Sequence, residues 1–227
     1  FFTATATAGA WGKSLSSLSV STFNTSGALL LRRDFTVSEL ASKSATFSLP
    51  KSAAGTECSF YAVANYDASS AKTRSALTAL VEQSAGDYNG TFADVSTKAL
   101  RSGGFVMSGS TTKTVGAVNT STQVGISLKR TVAKVALQTS IDPEFSEKYP
   151  GSITINSVKL SRAASQSLVV AGEPSTGAMT YTHTQTPGTA SSKYNNLFYV
   201  YETGTLTAGS LVPLEINATY ASDGRST

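Results

Sequence analysis

The hydrophobic pattern of this chain runs mostly at period two. Leu18, Val20 and Thr22 alternate with Ser19 and Ser21, and Phe23 closes the run. This predicts a half-buried strand with a hydroxyl-rich outer face. Ala45, Phe47 and Leu49 alternate again until Pro50, which lacks an N–H for a ladder. Residues 60–64 form an unbroken apolar run of β-formers and predict a central strand. Val124, Ile126 and Leu128 share one face of a later run. Further strands are predicted at 152–156, 158–160, 167–170, 197–201 and 211–220. Residues 1–13, with Thr3-Ala4-Thr5-Ala6-Thr7-Ala8 inside them, alternate with little to bury and read as an arm or edge strand.

One helix is predicted, over residues 69–83. Leu77, Leu80 and Val81 sit at helical spacing, Asp67, Ser69 and Ser70 offer N-caps, and Gly86 can follow the C-terminus. The inward phase is even at Val124–Ile126–Leu128 and odd at Ala133–Val135–Leu137. A one-residue slip needs a bulge or a change of sheet, which places a domain boundary near Arg130. The expectation is a mainly β chain: an N-terminal β-sandwich over 1–130 with one short helix, and a C-terminal β-sandwich over 131–227.

Composition narrows the function. Ser and Thr make up 66 of 227 residues, and only 14% of residues are charged. One Cys and one His exclude internal disulfides and Cys- or His-rich metal sites. The longest apolar runs are five residues, far short of a membrane span. The net charge of +4 is scattered, with Arg32-Arg33 its densest group, so no nucleic-acid surface is predicted. No basic segment followed by an apolar stretch opens the chain, so the expectation is that any secretory signal has been removed.

Each candidate for chemistry has a plainer explanation. Ser110-Thr111-Thr112-Lys113 has the Ser-x-x-Lys spacing of some acyl-transfer enzymes, which needs a helix start, but it follows a strand in a Ser/Thr-rich stretch. His183 lies in a polar stretch read as a loop. Asp142, Glu144 and Glu147 gather carboxylates without the glycine of a calcium loop and with Lys148 beside them, and they read as a solvated turn. Arg32-Arg33 reads as a surface pair and Cys58 as a small core residue. Asn24, Asn89, Asn119 and Asn217 begin glycosylation-like triplets expected by chance in such a chain. No catalytic, cofactor-binding or metal-ligating residue is assigned, and no enzyme activity is expected.

Four segments carry a more specific signal. They are Phe60-Tyr61-Ala62-Val63-Ala64-Asn65; Phe105-Val106-Met107-Ser108-Gly109; Leu128-Lys129-Arg130-Thr131-Val132-Ala133-Lys134-Val135-Ala136-Leu137; and Phe198-Tyr199-Val200-Tyr201-Glu202 followed by Leu214-Glu215-Ile216-Asn217-Ala218-Thr219-Tyr220. In this order they resemble the FimA-like fimbrillins of Bacteroidales, the subunits of type V pili. The positions that carry the resemblance are Phe60, Ala64, Asn65, Met107, Ser108, Gly109, Arg130, Ala133, Lys134, Tyr199, Tyr201 and Glu202, all structural.

The resemblance implies two transthyretin-like β-sandwich domains and a lipid-anchored precursor, exported and cut by a trypsin-like protease at an Arg. It implies a fimbrium on the outer membrane of a Gram-negative bacterium, built from copies of this chain or sister subunits. Trimming opens a groove in the first domain, and a strand of the neighbouring subunit fills it. Membrane contact is expected only through the precursor's lipid anchor. The family pattern continues beyond Tyr220 with strands that finish the second domain and supply the donor, whereas Asp223-Gly224 here reads as a hairpin turn without a return strand. The expectation is a shortened product with its second domain incomplete at the C-terminal end. The alternative is a tip or accessory adhesin that binds a host protein or glycan, with Trp11, Tyr66 and Tyr194 as candidate contacts.

Overall fold

The computed structural model describes residues 2–5, 14–83, 104–138, 142–170, 179–184, 195–202 and 211–223. They divide into two compact units. The first contains 2–5, 14–83, 104–132 and 166–170; the second contains 133–138, 142–165, 179–184, 195–202 and 211–223.

In chain order the first unit has strands β1 (Phe2–Thr5), β2 (Leu18–Phe23) and β3 (Leu29–Asp34), helix α1 (Val37–Ser42), strand β4 (Glu57–Ala64), helix α2 (Arg74–Thr78), and strands β5 (Val81–Glu82), β6 (Met107–Thr114), β7 (Val124–Ser127) and β8 (Lys129–Arg130). Its main sheet is antiparallel in the order β3-β2-β4-β6-β8. The period-two pattern explains its two faces. Leu18 and Val20 of β2, with Cys58, Phe60, Ala62 and Ala64 of β4, form one apolar cluster with Met107, Val124, Ile126 and Leu128. Phe23 and Val63 face the other way, against Ala68, Leu77, Val106, Val169 and Val170. Each such buried aliphatic or aromatic side chain is worth about 1.5–3 kcal/mol relative to exposure.

β2 differs from the half-buried strand expected. All six residues are buried, Ser19 and Ser21 included. The cause is non-local: β2 lies between β3 and β4, and its Ser19–Ser21 side shares a face with Tyr61 and Val63, which the second cluster covers.

The helix predicted over 69–83 is shorter. Asp67 accepts the Ser69 N–H in a turn, and the helix starts only at Thr73, whose hydroxyl accepts the Ala76 N–H. By Val81 the chain is a strand again: β5 pairs with β11 (Ser167–Leu168). β11 therefore sits in the first unit, although it follows the expected boundary near Arg130. α1 was not expected. Thr36 and Glu39 form a capping box, with the Thr36 side chain on the Glu39 N–H and the Glu39 carboxylate on the Thr36 N–H.

Arg33 also reaches Glu39 (2.9 Å) and the Asp34 carbonyl, and Arg32 pairs with Asp34 (2.7 Å). The dibasic pair is thus engaged by Asp34 and by Glu39 of α1 rather than free on the surface. The Thr36 N–H, and then the Thr36 hydroxyl and Arg33, hold the Glu39 carboxyl below its ordinary value of 4.5. A carboxyl depressed on folding stabilises above its unfolded value, and that contribution fades as pH falls through the lower folded one. Glu39→Gln is therefore expected to lose less melting temperature than the parent between pH 6 and pH 3. Parallel curves would refute this.

The second unit has β9 (Val132–Gln138) from its second residue on, α3 (Pro143–Lys148), β10 (Gly151–Ala163), β12 (Met179–Thr184), β13 (Asn195–Tyr201) and β14 (Leu214–Ser222). β13 pairs with β9, and β12-β10-β14 form an antiparallel sheet. The two strands expected at 152–160 are one, bent by a register shift between Ile155 and Ser157. At the phase slip near Arg130 the chain changes sheet, the second of the two expected outcomes: β8 ends at Arg130 beside β6, and β9 begins at Val132 in the sheet with β13. The odd inward phase differs, because Val132 is buried while Ala133 is exposed.

Candidate functional site

The first three motif segments meet in the main sheet. Residues 60–64 lie in β4 beside β6, which starts at Met107, and Met107 pairs with Arg130 of β8. Phe60, Ala64 and Met107 are buried in one cluster, and Ser108 is buried on the other face. Arg130 places its guanidinium 5.6 Å from the centre of the buried Phe105 ring, within cation–π range. Beside it, the Thr131 hydroxyl donates to the buried Glu82 carboxylate (2.6 Å). Ala133 and Lys134 lie in β9, opposite the strand that carries the buried Tyr199 and Tyr201; Glu202 follows it, exposed.

Asn65 is the hub of this arrangement. Its backbone is left-handed (φ 59°), a conformation that Asn tolerates better than most residues. Its side-chain oxygen accepts the Ser16 N–H (2.8 Å), the Ser16 hydroxyl (2.9 Å) and the Ser17 N–H (3.3 Å). Its amide nitrogen donates to the carbonyls of Ser14 (2.8 Å) and Phe105 (2.7 Å). One side chain thus ties the entry to β2 to the approach to β6. Gly104 leaves room for this contact: a Cβ there would lie 2.7 Å from the Ser14 oxygen and 2.8 Å from Asn65 Nδ2.

Gly109 serves the second layer. β7 crosses the Met107 face of the main sheet at this point, and a Cβ on Gly109 would overlap the Ser127 carbonyl and press on Ile126 Cγ2 (2.9 Å). β7 in turn pairs in parallel with β1, in the register Phe2–Val124, Thr3–Gly125, Ala4–Ile126 and Thr5–Ser127. These two strands form a ladder of their own, and among the described residues β7 has no other ladder partner. Val124 and Ile126 point into the core while Gly125 and Ser127 face outward. β1 therefore caps an edge whose inward row belongs to the hydrophobic core.

The remaining candidates fall as follows. Ser110 and Lys113 lie within β6, three residues apart and so on opposite faces, which withholds the Lys from the Ser. His183 lies in strand β12 opposite Val158, not in a loop. Asp142 caps α3 by accepting the Glu144 N–H, so these carboxylates open a helix rather than a turn. Cys58 is buried. Asn24 closes a turn onto Ser26 and Ala28, Asn119 is left-handed, and Asn217 bonds Asn156 across β14 and β10. Tyr66 donates to the Val81 carbonyl and packs against the second cluster, which engages it internally. Trp11, Asn89 and Tyr194 lie outside the described residues. Among the described residues, no cluster of His, Cys, Asp or Glu could hold a metal, and no helix is long and apolar enough to cross a membrane.

No protein-family model and no curated protein sequence matches the chain. Its fold does match solved structures. A fimbrial assembly protein from Parabacteroides distasonis is similar with a TM-score of 0.55 at 17% identity, over 92% of this chain and 78% of that one. A candidate cell adhesion protein from the same organism gives 0.62 at 15% identity, over 93% and 68%. The tip fimbrial protein Mfa3 from Porphyromonas gingivalis gives 0.51 at 14% identity, over 94% and 79%. The chain is thus a mainly β protein with a β-sandwich fold. More narrowly, the fold is shared with Bacteroidales fimbrial and adhesion proteins.

Proposed function

We propose that this chain is a structural subunit of cell-surface fimbriae that polymerises by strand exchange at the β7 edge after proteolytic trimming. The observation that carries this reading is the isolated parallel ladder of β1 on β7. Parallel pairs are slightly less stable per residue than antiparallel ones, and this one is short. Removing β1 bares the N–H and C=O groups of an edge whose inward side chains, Val124 and Ile126, stay fixed in the core. A strand from a neighbouring subunit restores those bonds, and such a head-to-tail contact does not close, so a filament grows. In this reading the two compact units serve as the two domains of such a subunit, with its place on the outer membrane and a lipid-anchored precursor as further parts of the proposal.

Protease-matured full-length protein is expected to form filaments visible by electron microscopy, alone or with sister subunits. Persistent absence of filaments after confirmed trimming would argue against a stalk subunit. The similarity to a tip fimbrial protein favours a second reading, a tip or accessory adhesin. It predicts saturable binding on a glycan or host-protein array that Trp11→Ala abolishes.

A further inference from the structure

A cavity of about 440 Å³ opens in the first unit beside the start of β7. Its apolar lining includes Ala45, Phe47, Leu49, Phe60, Val115 and Val124. Thr46, Ser48 and residues 119–122 add hydroxyls and an amide, and Lys51 the lone charge among its described residues. The loop that supplies residues 116–122 is tied to itself: Thr122 accepts the Gly116 N–H and Thr120 donates to the Ala117 carbonyl.

Its position relative to the β1–β7 ladder is informative. Val124 both lines the cavity and pairs with Phe2. Because the pairing is parallel, following the partner strand backward from Phe2 tracks β7 backward from Val124 towards Thr122. Side chains in register share a face and inward positions recur every second residue. Val124 and Ile126 are inward, so the next inward position upstream is the one opposite Thr122, itself a lining residue. Continued one inward step beyond the Phe2–Val124 pair, the same register reaches Thr122 on the cavity wall.

We infer that this cavity is the anchor subsite of the strand slot. It takes an apolar side chain, leucine-sized or larger, at the position opposite Thr122 of an extended strand that a neighbouring subunit lays parallel to β7. The inference rests on the strand-exchange reading above and adds a specificity to it: backbone bonds along β7 accept most sequences, and the cavity selects the residue two before the one facing Val124. Lys51 at its edge favours a partner without positive charge there.

The test uses fluorescently labelled eight-residue peptides that end in Phe-Thr-Ala-Thr, the sequence of β1, and carry Leu, Gly or Lys two residues before that Phe. They are titrated onto the full chain with Thr3→Pro and Ala4→Pro, which remove N–H groups from β1 and free the slot. The Leu peptide is expected to bind about tenfold tighter than the Gly peptide, the scale of burying one aliphatic side chain, with the Lys peptide weaker still. Val118→Trp on the exposed rim, or Ala54→Phe in the half-buried wall, should erase the Leu advantage and leave Gly-peptide binding unchanged. Equal binding of Leu and Gly peptides, or a Leu advantage that survives both substitutions, would overturn the anchor subsite while the slot stands. Failure of every peptide to bind would overturn strand exchange at β7, and the anchor with it.

Discussion

Asn65→Asp is expected to destabilise the first unit by about 3 kcal/mol at neutral pH, with a melting temperature lower by roughly 6–12 °C. The substitution keeps the oxygen that receives Ser16 and Ser17 but replaces the amide donor by a second oxygen. That oxygen then faces the Ser14 and Phe105 carbonyls at 2.7–2.8 Å, in a site only 7% exposed. Buried acceptors left facing one another cost more than a lost bond alone. The protonated carboxyl can donate to one of those carbonyls while its other oxygen keeps the serine bonds. The ionised form instead sets a charge against both carbonyls in a buried site, so its folded pKa is expected to rise above the unfolded value of about 3.9. The folded variant then holds a proton that the unfolded chain releases. Its deficit relative to the parent is smallest below about pH 4 and grows as pH rises through the folded pKa. Asn65→Gly, which accepts the positive φ, is expected to show a pH-independent deficit, and Asn65→Ala about 1 kcal/mol more for the left-handed backbone. Denaturant melts of the three variants from pH 4 to 8 decide it. A pH-independent Asp variant, or a loss under 1 kcal/mol, would remove Asn65 from its place as the hub.

The strands within one chain neighbourhood were legible, because period two is a local signal: 60–64 and 124–128 fold as their patterns predict. What failed was non-local. Ser19 and Ser21 look solvent-facing until Val169 and Val170, some 150 residues later in the chain, pack on that side of the sheet. Leu77, Leu80 and Val81 fit a helical stripe equally well when only Leu77 lies in the helix and Val81 already belongs to β5. The capping box Thr36-Val37-Ser38-Glu39 is written in the sequence without an apolar stripe beside it, because α1 is six residues long and buries none of its side chains. The motif positions themselves were visible, but not their reasons. The bond partners of Asn65 stand 40–51 residues away, and the parallel pairing of β1 with β7 joins residues more than 120 apart.

Gly109→Ala is expected to cost about 2–3 kcal/mol, although alanine in a strand ordinarily stabilises relative to glycine by up to about 1 kcal/mol. The usual gain comes from a less free unfolded chain, and here the folded state reverses the sign. The added methyl would occupy the space of the Ser127 carbonyl, and the atoms it meets are backbone rather than the end of a flexible side chain. β7 has to rise off the sheet to admit it, which draws Val124 and Ile126 out of the cluster they share with Phe60 and Met107. The ladder to β1 moves with β7, so amide exchange at residues 124–127 is expected to quicken more than in β2, which pairs with β3 and β4 and not with β6 or β7. On the proposed strand-exchange reading, the same displacement should slow filament growth in a matured subunit even where the residual fold is intact, since an incoming strand would need β7 at its native height above the core. A variant as stable as the parent, with unchanged exchange along β7, would mean that β7 is free to shift at no cost. Gly109 would then be no more than a gap in the sheet, and the fixed edge that the proposed strand exchange requires would lose its support.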